Sequence, residues 1–226
     1  MIKLINVFAF VVFLMMIPSK LHSQKDQVDI TFGKYRIIHS LILDEDRMLY
    51  IHLPESYELC DEDYPVVFQL YSHFLYDYYL PAVRVTNLMG KAGETPEMIV
   101  VGIENGKFRY RDLLPEDHWG SKSGIDNFLR FFEEELIPFI EANYRVHNYR
   151  ILSGPQAGAA FGIYALSERP DLFNALFLGN PFWIASSRET LLKNFSEAVQ
   201  KNDYSNRLLM ITYEDYSDPG EEEALA

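Results

Sequence analysis

The segment from Tyr149 to Pro170 has the spacing of a nucleophile elbow, with one exception at its centre. A short apolar run leads into Gly154-Pro155-Gln156-Ala157-Gly158, and an alanine-rich helical pattern continues to Glu168. In the motif G-x-S-x-G, a strand, a sharp turn and a helix present a nucleophilic serine. Here the central position holds Gln156, and a primary amide has no ionisable proton and is not a nucleophile. The sequence keeps the frame of the motif without its reactive group.

Three other residues are candidates for a displaced nucleophile, and each has a simpler explanation. Ser153 lies at the end of the predicted strand and is expected to point away from the turn. Ser72 precedes His73, and a serine beside a histidine is chemically suggestive, but neighbours in an extended loop point to opposite sides. Cys60, the only cysteine, lies in a polar turn ahead of a strand. We therefore predict no intact catalytic group.

The histidines give no metal site, and we predict neither a metal nor another cofactor. Their spacing lacks the paired pattern that zinc sites use. The pair His118-Trp119, in a polar loop from Asn105 to Lys122, is the most site-like of them. A histidine that only packs within the loop is the alternative interpretation.

The elements that would position these residues alternate between buried strands and helices. Continuous apolar runs predict strands buried on both faces, and a spacing of three and four residues predicts helices. We predict strands over Phe32–Leu43, Arg47–Pro54, Val66–Tyr71, Met98–Ile103, Leu172–Gly179 and Leu208–Tyr213 besides the elbow strand, with Asp44-Glu45-Asp46 as a hairpin turn. We predict helices over Pro81–Gly93, Asn127–Tyr144 (kinked at Pro138) and Glu189–Lys201 besides the elbow helix. This order predicts one α/β domain with a mostly parallel sheet, an antiparallel N-terminal hairpin and helices on both faces.

Composition limits the partners, and the N-terminus predicts export. The 226 residues carry a formal net charge of −13, which disfavours nucleic acid and anionic membrane surfaces. Residues 1–23 combine Lys3, an apolar run too short for a comfortable span and a polar exit, which is typical of a signal peptide. An uncleaved anchor is the alternative. We expect a periplasmic or extracellular protein without membrane insertion after cleavage, with one domain over 24–226 and an acidic tail from about residue 214.

Several short segments, in this order, resemble the esterase family of α/β-hydrolases, which includes esterase D-like and enterochelin-esterase-like proteins. The resemblance covers about Phe32 to Tyr213. Its anchors are Leu53-Pro54-Glu55-Ser56-Tyr57, Tyr64-Pro65-Val66, Pro96–Val101, Arg109-x-Arg111-Asp112-x-x-Pro115, Glu134–Glu141, Arg150-Ile151-Leu152 with the elbow frame, Tyr164-Ala165-Leu166 and Arg169–Asn174. The resemblance implies a three-layer α/β-hydrolase sandwich, and we expect its C-terminal part to be truncated.

The catalytic triad that the resemblance implies is not intact in this sequence. Gln156 takes the nucleophile position, and the triad acid matches the region of Glu214 and Asp215, with Asp218 as a second candidate. Each of these acids has a solvated tail carboxylate as its alternative. The triad histidine follows the acid in this fold, and no histidine follows His147 in the sequence.

The oxyanion hole that the resemblance implies depends on backbone donors, which survive changes of side chain. One donor is the N–H of Ala157, after the nucleophile position, and the other comes from the loop after the third strand. That loop, often Asp-Gly in the family, reads Tyr71-Ser72-His73-Phe74 here. The candidate ligand-binding residues are therefore Ala157, Tyr71, Ser72, His73, His118 and Trp119.

Three functions remain open from the sequence. The first is an exported, catalytically degenerate esterase-fold protein that binds a small ester, a carboxylate-like ligand or a partner in the cleft at the elbow. The second is a carboxylic ester hydrolase with an incomplete sequence or a displaced nucleophile. The third is a non-functional fragment of an esterase.

Overall fold

The computed structural model describes residues 32–118, 120–181 and 185–212. The signal segment over 1–23, Trp119 and the acidic residues Glu214, Asp215 and Asp218 lie outside these ranges. The predictions made for them, and the domain boundaries, stay predictions.

The described residues form a seven-stranded sheet in the order β1-β2-β4-β3-β5-β6-β7. The strands are β1 (Lys34–Ser40), β2 (Glu45–His52), β3 (Tyr64–Gln69), β4 (Ile99–Ile103), β5 (Val146–Pro155), β6 (Ala175–Gly179) and β7 (Leu208–Thr212). Strands β1 and β2 pair antiparallel, β2 joins β4 antiparallel, and every pairing from β4 to β7 is parallel. The predicted parallel sheet with an N-terminal hairpin is confirmed.

The hairpin turn lies earlier than the sequence predicts, over residues 41–44. Ser40 pairs with Glu45, so Glu45 and Asp46, two of the three acidic residues predicted as the turn, belong to strand β2. Asp44 takes a φ of 53°, a conformation that aspartate tolerates better than most residues. The carboxylate of Glu135 accepts the N–H groups of Leu41 and Ile42, at 2.9 and 3.1 Å. A side chain 94 residues away therefore stabilises the turn, and no local pattern contains that contact.

The helices are α1 (Leu80–Lys91), α2 (Arg109–Leu113), α3 (Ile125–Phe131), α4 (Ile137–Asn143), α5 (Ala157–Glu168) and α6 (Ala185–Lys201). A π-helical turn over Phe132–Leu136 separates α3 from α4. Pro138 lies in the first turn of α4, where its missing N–H is tolerated, so the predicted kink is a widened turn just before it. The segment from Asn105 to Lys122, predicted as a polar loop, contains α2 and a short 3₁₀ turn over Gly106–Phe108.

Helices cover both faces of the sheet and form a three-layer α/β-hydrolase sandwich. On one face, Phe68 and Phe173 pack against Phe128, Phe132 and Phe161 in a fully buried aromatic core. On the other face, a smaller cluster joins strand residues to the side of α1, and it contains Val67, Val83, Val100, Ile151 and Ala175. Within the described ranges, no helix combines the length and apolar character that crossing a membrane requires.

Candidate active site at the nucleophile elbow

Gln156 occupies the point of a fully formed nucleophile elbow. It lies between the end of β5 at Pro155 and the start of α5 at Ala157, with φ 50° and ψ −117°. Its N–H donates to the carbonyl of Gly179 at 2.6 Å, and its own carbonyl accepts the N–H of Ala160 at 2.9 Å. These bonds hold a backbone conformation that residues with a Cβ rarely adopt. The predicted strand, turn and helix are all present, with an amide at the reactive position.

The two glycines of the frame are required by close packing. A Cβ on Gly154 would lie 3.1 Å from the carbonyl carbon of Gly158 and 3.2 Å from the Cβ of Leu70. A Cβ on Gly158 would lie 3.2 Å from the same Leu70 atom. The two glycines are therefore required for packing α5 against the sheet, whichever residue lies between them.

Neither serine is placed to replace the missing nucleophile. Ser72 is fully buried, and its hydroxyl donates to the carbonyl of Gln69 at 2.8 Å. That placement disfavours both a nucleophilic role and the direct ligand contact predicted for Ser72. Ser153 lines a groove on the α1 side of the sheet, beside Tyr78 and Phe177.

Tyr71 faces the N-terminus of the elbow helix. It is 3% exposed, takes a φ of 63°, and its N–H donates to Oδ1 of the buried Asn105 at 3.4 Å. The ring reaches α5, because a Cβ on Gly158 would lie 3.4 Å from Cδ2 of Tyr71. Burial raises the pKa of the phenol to about 12, while Arg109 and a hydrogen bond from the backbone N–H of Ala157 act to lower it. The structure thus brings together two of the predicted ligand-binding residues, Tyr71 and Ala157.

His73 lies in the same aromatic cluster but does not form a dyad with Ser72. Its ring centroid is 4.2 Å from that of Phe74 and 5.3 Å from that of Tyr71. Both ring nitrogens are buried without a hydrogen-bond partner among the described residues. Burial lowers the pKa of His73, Glu104 acts to raise it, and Arg109 lowers it further. The neutral imidazole therefore serves as a packing group beside Tyr71.

Arg109 and Tyr110, at the start of α2, were missing from the predicted site. The guanidinium carbon of Arg109 lies 4.6 Å from the ring centroid of Tyr110, and its Nη2 donates to the Tyr110 hydroxyl at 3.2 Å. His118 packs edge-on against Tyr110, with ring centroids 5.3 Å apart, and its backbone bridges to Ser121. The signal in the sequence is the pair of arginines in Arg109-x-Arg111-Asp112, which is also one of the family anchors.

A buried ion cluster fixes α2 to the hairpin and so positions Arg109. Nη2 of Arg47 lies 2.7 Å from a carboxylate oxygen of Asp112 and 2.6 Å from one of Glu45. Arg111 bonds the same two carboxylates. Arg47 and Asp112 are almost completely buried, at 2% and 0% side-chain exposure. No cluster of three or more potential metal ligands occurs within the described residues.

Comparison with known proteins finds the same family over most of the chain. Residues 40–212 match the Esterase family model, described as "Putative esterase". The ferri-bacillibactin esterase BesA of Bacillus subtilis (strain 168) is 29% identical over 169 residues, which is 65% of this chain and 58% of that protein. The chain therefore spans less than two thirds of this curated relative.

Solved structures with the same fold include a serine hydrolase and a siderophore esterase. An IroE-like serine hydrolase from Shewanella oneidensis superposes with a TM-score of 0.69 at 28% identity, covering 79% of this chain and 60% of that one. The enterobactin esterase FES from Shigella flexneri, solved in the presence of enterobactin, gives a TM-score of 0.62 at 17% identity, covering 81% and 46%. By the family match over residues 40–212, this chain belongs to the Esterase family of α/β-hydrolases.

Proposed function

We propose that this protein is an exported, catalytically degenerate esterase that binds an ester or carboxylate-like ligand at its elbow without hydrolysing it. The observation that carries the proposal is Gln156 at φ 50° and ψ −117°. The elbow geometry is complete, whereas the group that would attack a carbonyl carbon is a neutral amide. Export rests on the composition of residues 1–23.

The magnitude of the lost catalysis supports binding over turnover. Removing the serine from a catalytic triad costs about a millionfold in kcat, and the oxyanion hole and binding leave roughly 10³–10⁴ over water. Neither Ser72 nor Ser153 replaces that serine, since the Ser72 hydroxyl is bonded to the Gln69 carbonyl and Ser153 lies on the α1 side of the sheet.

The chemistry around the elbow supports an aromatic, anionic or strongly polarised ligand. Arg109 supplies a fixed positive charge, and Tyr71, Phe74 and Tyr110 supply rings beside it. Siderophore esters are such ligands, and the names of the relatives refer to ferri-bacillibactin and enterobactin. We therefore propose a siderophore-type ester, intact or as its carboxylate product, as the ligand class.

Binding and hydrolysis measured on the same preparation test this function. We expect ferric enterobactin to quench intrinsic fluorescence saturably, and chromatography to recover the ester intact after many hours. Short-chain aryl esters should show no turnover above background. Saturable turnover that Gln156→Ala abolishes would sink the proposal, and so would the absence of any binding.

The matched comparison is Gln156→Ser, which restores a hydroxyl at the elbow point. Because no other change is made, a rise in ester hydrolysis over wild type reports that the cleft geometry still accepts an ester. Ferric enterobactin binding by this variant should remain within about twofold of wild type, since the ligand is proposed to interact chiefly with Arg109 and the surrounding rings.

A further inference from the structure

We propose that the exposed face of strands β5 to β7 is a docking site for a basic amphipathic helix of another polypeptide. This face lies on the α1 side of the sheet, and docking there requires no ligand at the elbow. We call it the β5–β7 face, and it consists of Tyr149, Ile151, Ala175, Phe177, Leu208 and Met210.

Strand register places the β5–β7 face beside α1 and beyond its cover. Two rows of paired residues run across the sheet here, namely Val100, Val67, Ile151, Ala175 and Leu208, and then Gln69, Ser153, Phe177 and Met210. On β3 and β4, the first row is buried in a cluster with Val83 of α1. On β6 and β7, Phe177, Leu208 and Met210 are 38 to 51% exposed. Helix α1 therefore leaves the β6 and β7 part of this face open among the described residues.

The open part has the dimensions of one helix. Strands in a sheet lie about 4.8 Å apart, so the distance from β5 to β7 is about 10 Å, the diameter of an α-helix with its side chains. Along the strands, two adjoining grooves of about 510 and 360 Å³ share Phe177. Tyr149 lines the first groove and Pro155 the second. From Tyr149 to Pro155 the strand rises about 20 Å, which accommodates about three to four turns of helix.

The floor and one wall of these grooves are apolar. Pro81, Ala82 and Val85 of α1 line the second groove, and Val85 is 57% exposed. An amphipathic helix docks by placing its apolar stripe in a groove of this kind. Because parallel sheets are normally covered on both faces, a helix docked here completes the cover that α1 begins.

The charges around the grooves favour a basic helix. Asp63 and Glu94 line the first groove, Asp77 lines the second, and all three residues are exposed. The ion pairs among the described residues involve none of these three carboxylates. No Lys or Arg is among the described residues that line either groove. Lys or Arg residues at the two ends of a docked helix would therefore meet unpaired carboxylates.

Like charge disfavours two other occupants of the β5–β7 face. Residues 214–223 carry six acidic residues and no Lys or Arg, so this segment would bring negative charge to the same carboxylates. A second copy of the chain carries the same net charge of −13, which opposes the pairing of two such faces. A positively charged helix is attracted by both the local and the net charge.

Fluorescence anisotropy with a labelled leucine–lysine peptide tests this site on the full chain. The peptide has about 14 residues, enough to span about 20 Å as a helix, with leucine on one face and lysine on the other. We expect saturable binding at one site that weakens as salt is added. A leucine–glutamate peptide with the same apolar stripe should bind at least about 10-fold more weakly. Absence of binding, or equal binding of the two peptides, overturns the proposal.

Substitutions in the floor and at the rim locate the bound peptide. Phe177→Ser and Met210→Gln each remove apolar contact area and should weaken binding about 3- to 10-fold. Asp63→Asn combined with Glu94→Gln should weaken it by a similar factor and make it less sensitive to salt. Met210→Gln keeps the test valid if Phe177→Ser fails to fold, because its side chain is 49% exposed.

The matched controls change one apolar and one acidic residue elsewhere. Leu41→Gln alters an apolar side chain that is 83% exposed on the hairpin, and Glu134→Gln alters an exposed acid in the π-helical turn. Both should leave peptide binding unchanged. Binding that the floor and rim variants reduce no more than these controls do shows that the peptide lies elsewhere and overturns the site. Sedimentation equilibrium should show a monomer, and a dimer that Met210→Gln dissociates overturns the proposal in favour of a second copy.

Discussion

At the scale of single residues, backbone strain is concentrated at the elbow. Four described residues other than glycine have a positive φ, namely Asp44, Tyr71, Gln156 and Asn180. Aspartate and asparagine tolerate this region, whereas a tyrosine and a glutamine do so at a cost. The two costly positions are Tyr71, whose ring packs on the elbow helix, and Gln156 at the point of the elbow, and strained residues of this kind cluster at functional sites. The chain thus has the backbone strain of a nucleophile elbow with a glutamine at its point.

Gln156→Gly tests whether that strain is real. Glycine adopts a φ of 50° freely, which releases about 1–2 kcal/mol and costs up to about 1 kcal/mol of chain entropy. We expect the free energy of unfolding to exceed that of Gln156→Ala by up to about 1 kcal/mol, measured by urea denaturation. Alanine is the matched control because it also removes the glutamine side chain beyond Cβ but keeps the Cβ itself. A glycine variant no more stable than the alanine variant contradicts the strain.

At the scale of elements, the buried ions tie a short helix to the hairpin. Helix α2 has five residues, too few to be stable alone, and Asp112 within it bonds Arg47 of β2. Three phenylalanine rings surround the Arg47 guanidinium, the nearest being Phe108 at 5.1 Å. Because α2 begins at Arg109, the cluster determines where the positive charge of the candidate site lies.

Asp112→Ala should destabilise the protein strongly and weaken ligand binding. Removing Asp112 leaves the buried Arg47 to share the single carboxylate of Glu45 with Arg111, and breaking a buried pair typically costs about 3–5 kcal/mol. Urea denaturation measures the loss, and ferric enterobactin titration under native conditions measures the effect on the site. Glu134→Ala breaks the exposed pair with Arg130 and should leave both values nearly unchanged. If both substitutions have equally small effects, the cluster does not hold α2 in place.

At the scale of the whole molecule, the end of one sheet face over β5 to β7, beyond the cover of α1, is apolar and exposed among the described residues. Tyr149, Phe177, Leu208 and Met210, on β5 to β7, are 38 to 51% exposed. The first three of them line a groove of about 510 Å³ together with Ile151. Parallel sheets are normally covered on both faces, and the net charge of −13 opposes self-association of such a face.

Met210→Gln should reduce the binding of the dye ANS without unfolding the protein. The side chain is 49% exposed, so replacing it removes apolar surface from the face at a cost within about 0.5 kcal/mol of stability. ANS fluorescence and a thermal melt are the two measurements. Leu41→Gln, at an exposed hairpin position outside the face, is the control and should leave ANS fluorescence unchanged. Undiminished fluorescence in Met210→Gln means that the dye binds elsewhere.

Local patterns in the sequence were sufficient for the elements and the frame of the elbow. Apolar runs located the parallel strands, and the glycines at 154 and 158 located the turn, because close packing of strand on helix excludes a side chain there. The observed hairpin turn differs from the predicted one because the carboxylate of Glu135, distant in sequence, accepts a backbone N–H of the turn. The sequence pattern does not predict α2, because the ion pair between its Asp112 and Arg47, 65 residues earlier, stabilises this short helix.

The amino-acid sequence is sufficient to predict the esterase fold and to show that an amide stands where a nucleophile would. Those facts follow from residue types and short spacings. The three-dimensional structure was needed to show that Gln156 keeps the strained elbow conformation, that Ser72 is bonded inward, and that the Tyr71 ring packs on the first turn of α5. Each of these facts depends on residues at the ends of separate strands meeting at one edge of the sheet. Local sequence patterns do not contain the distances between those residues.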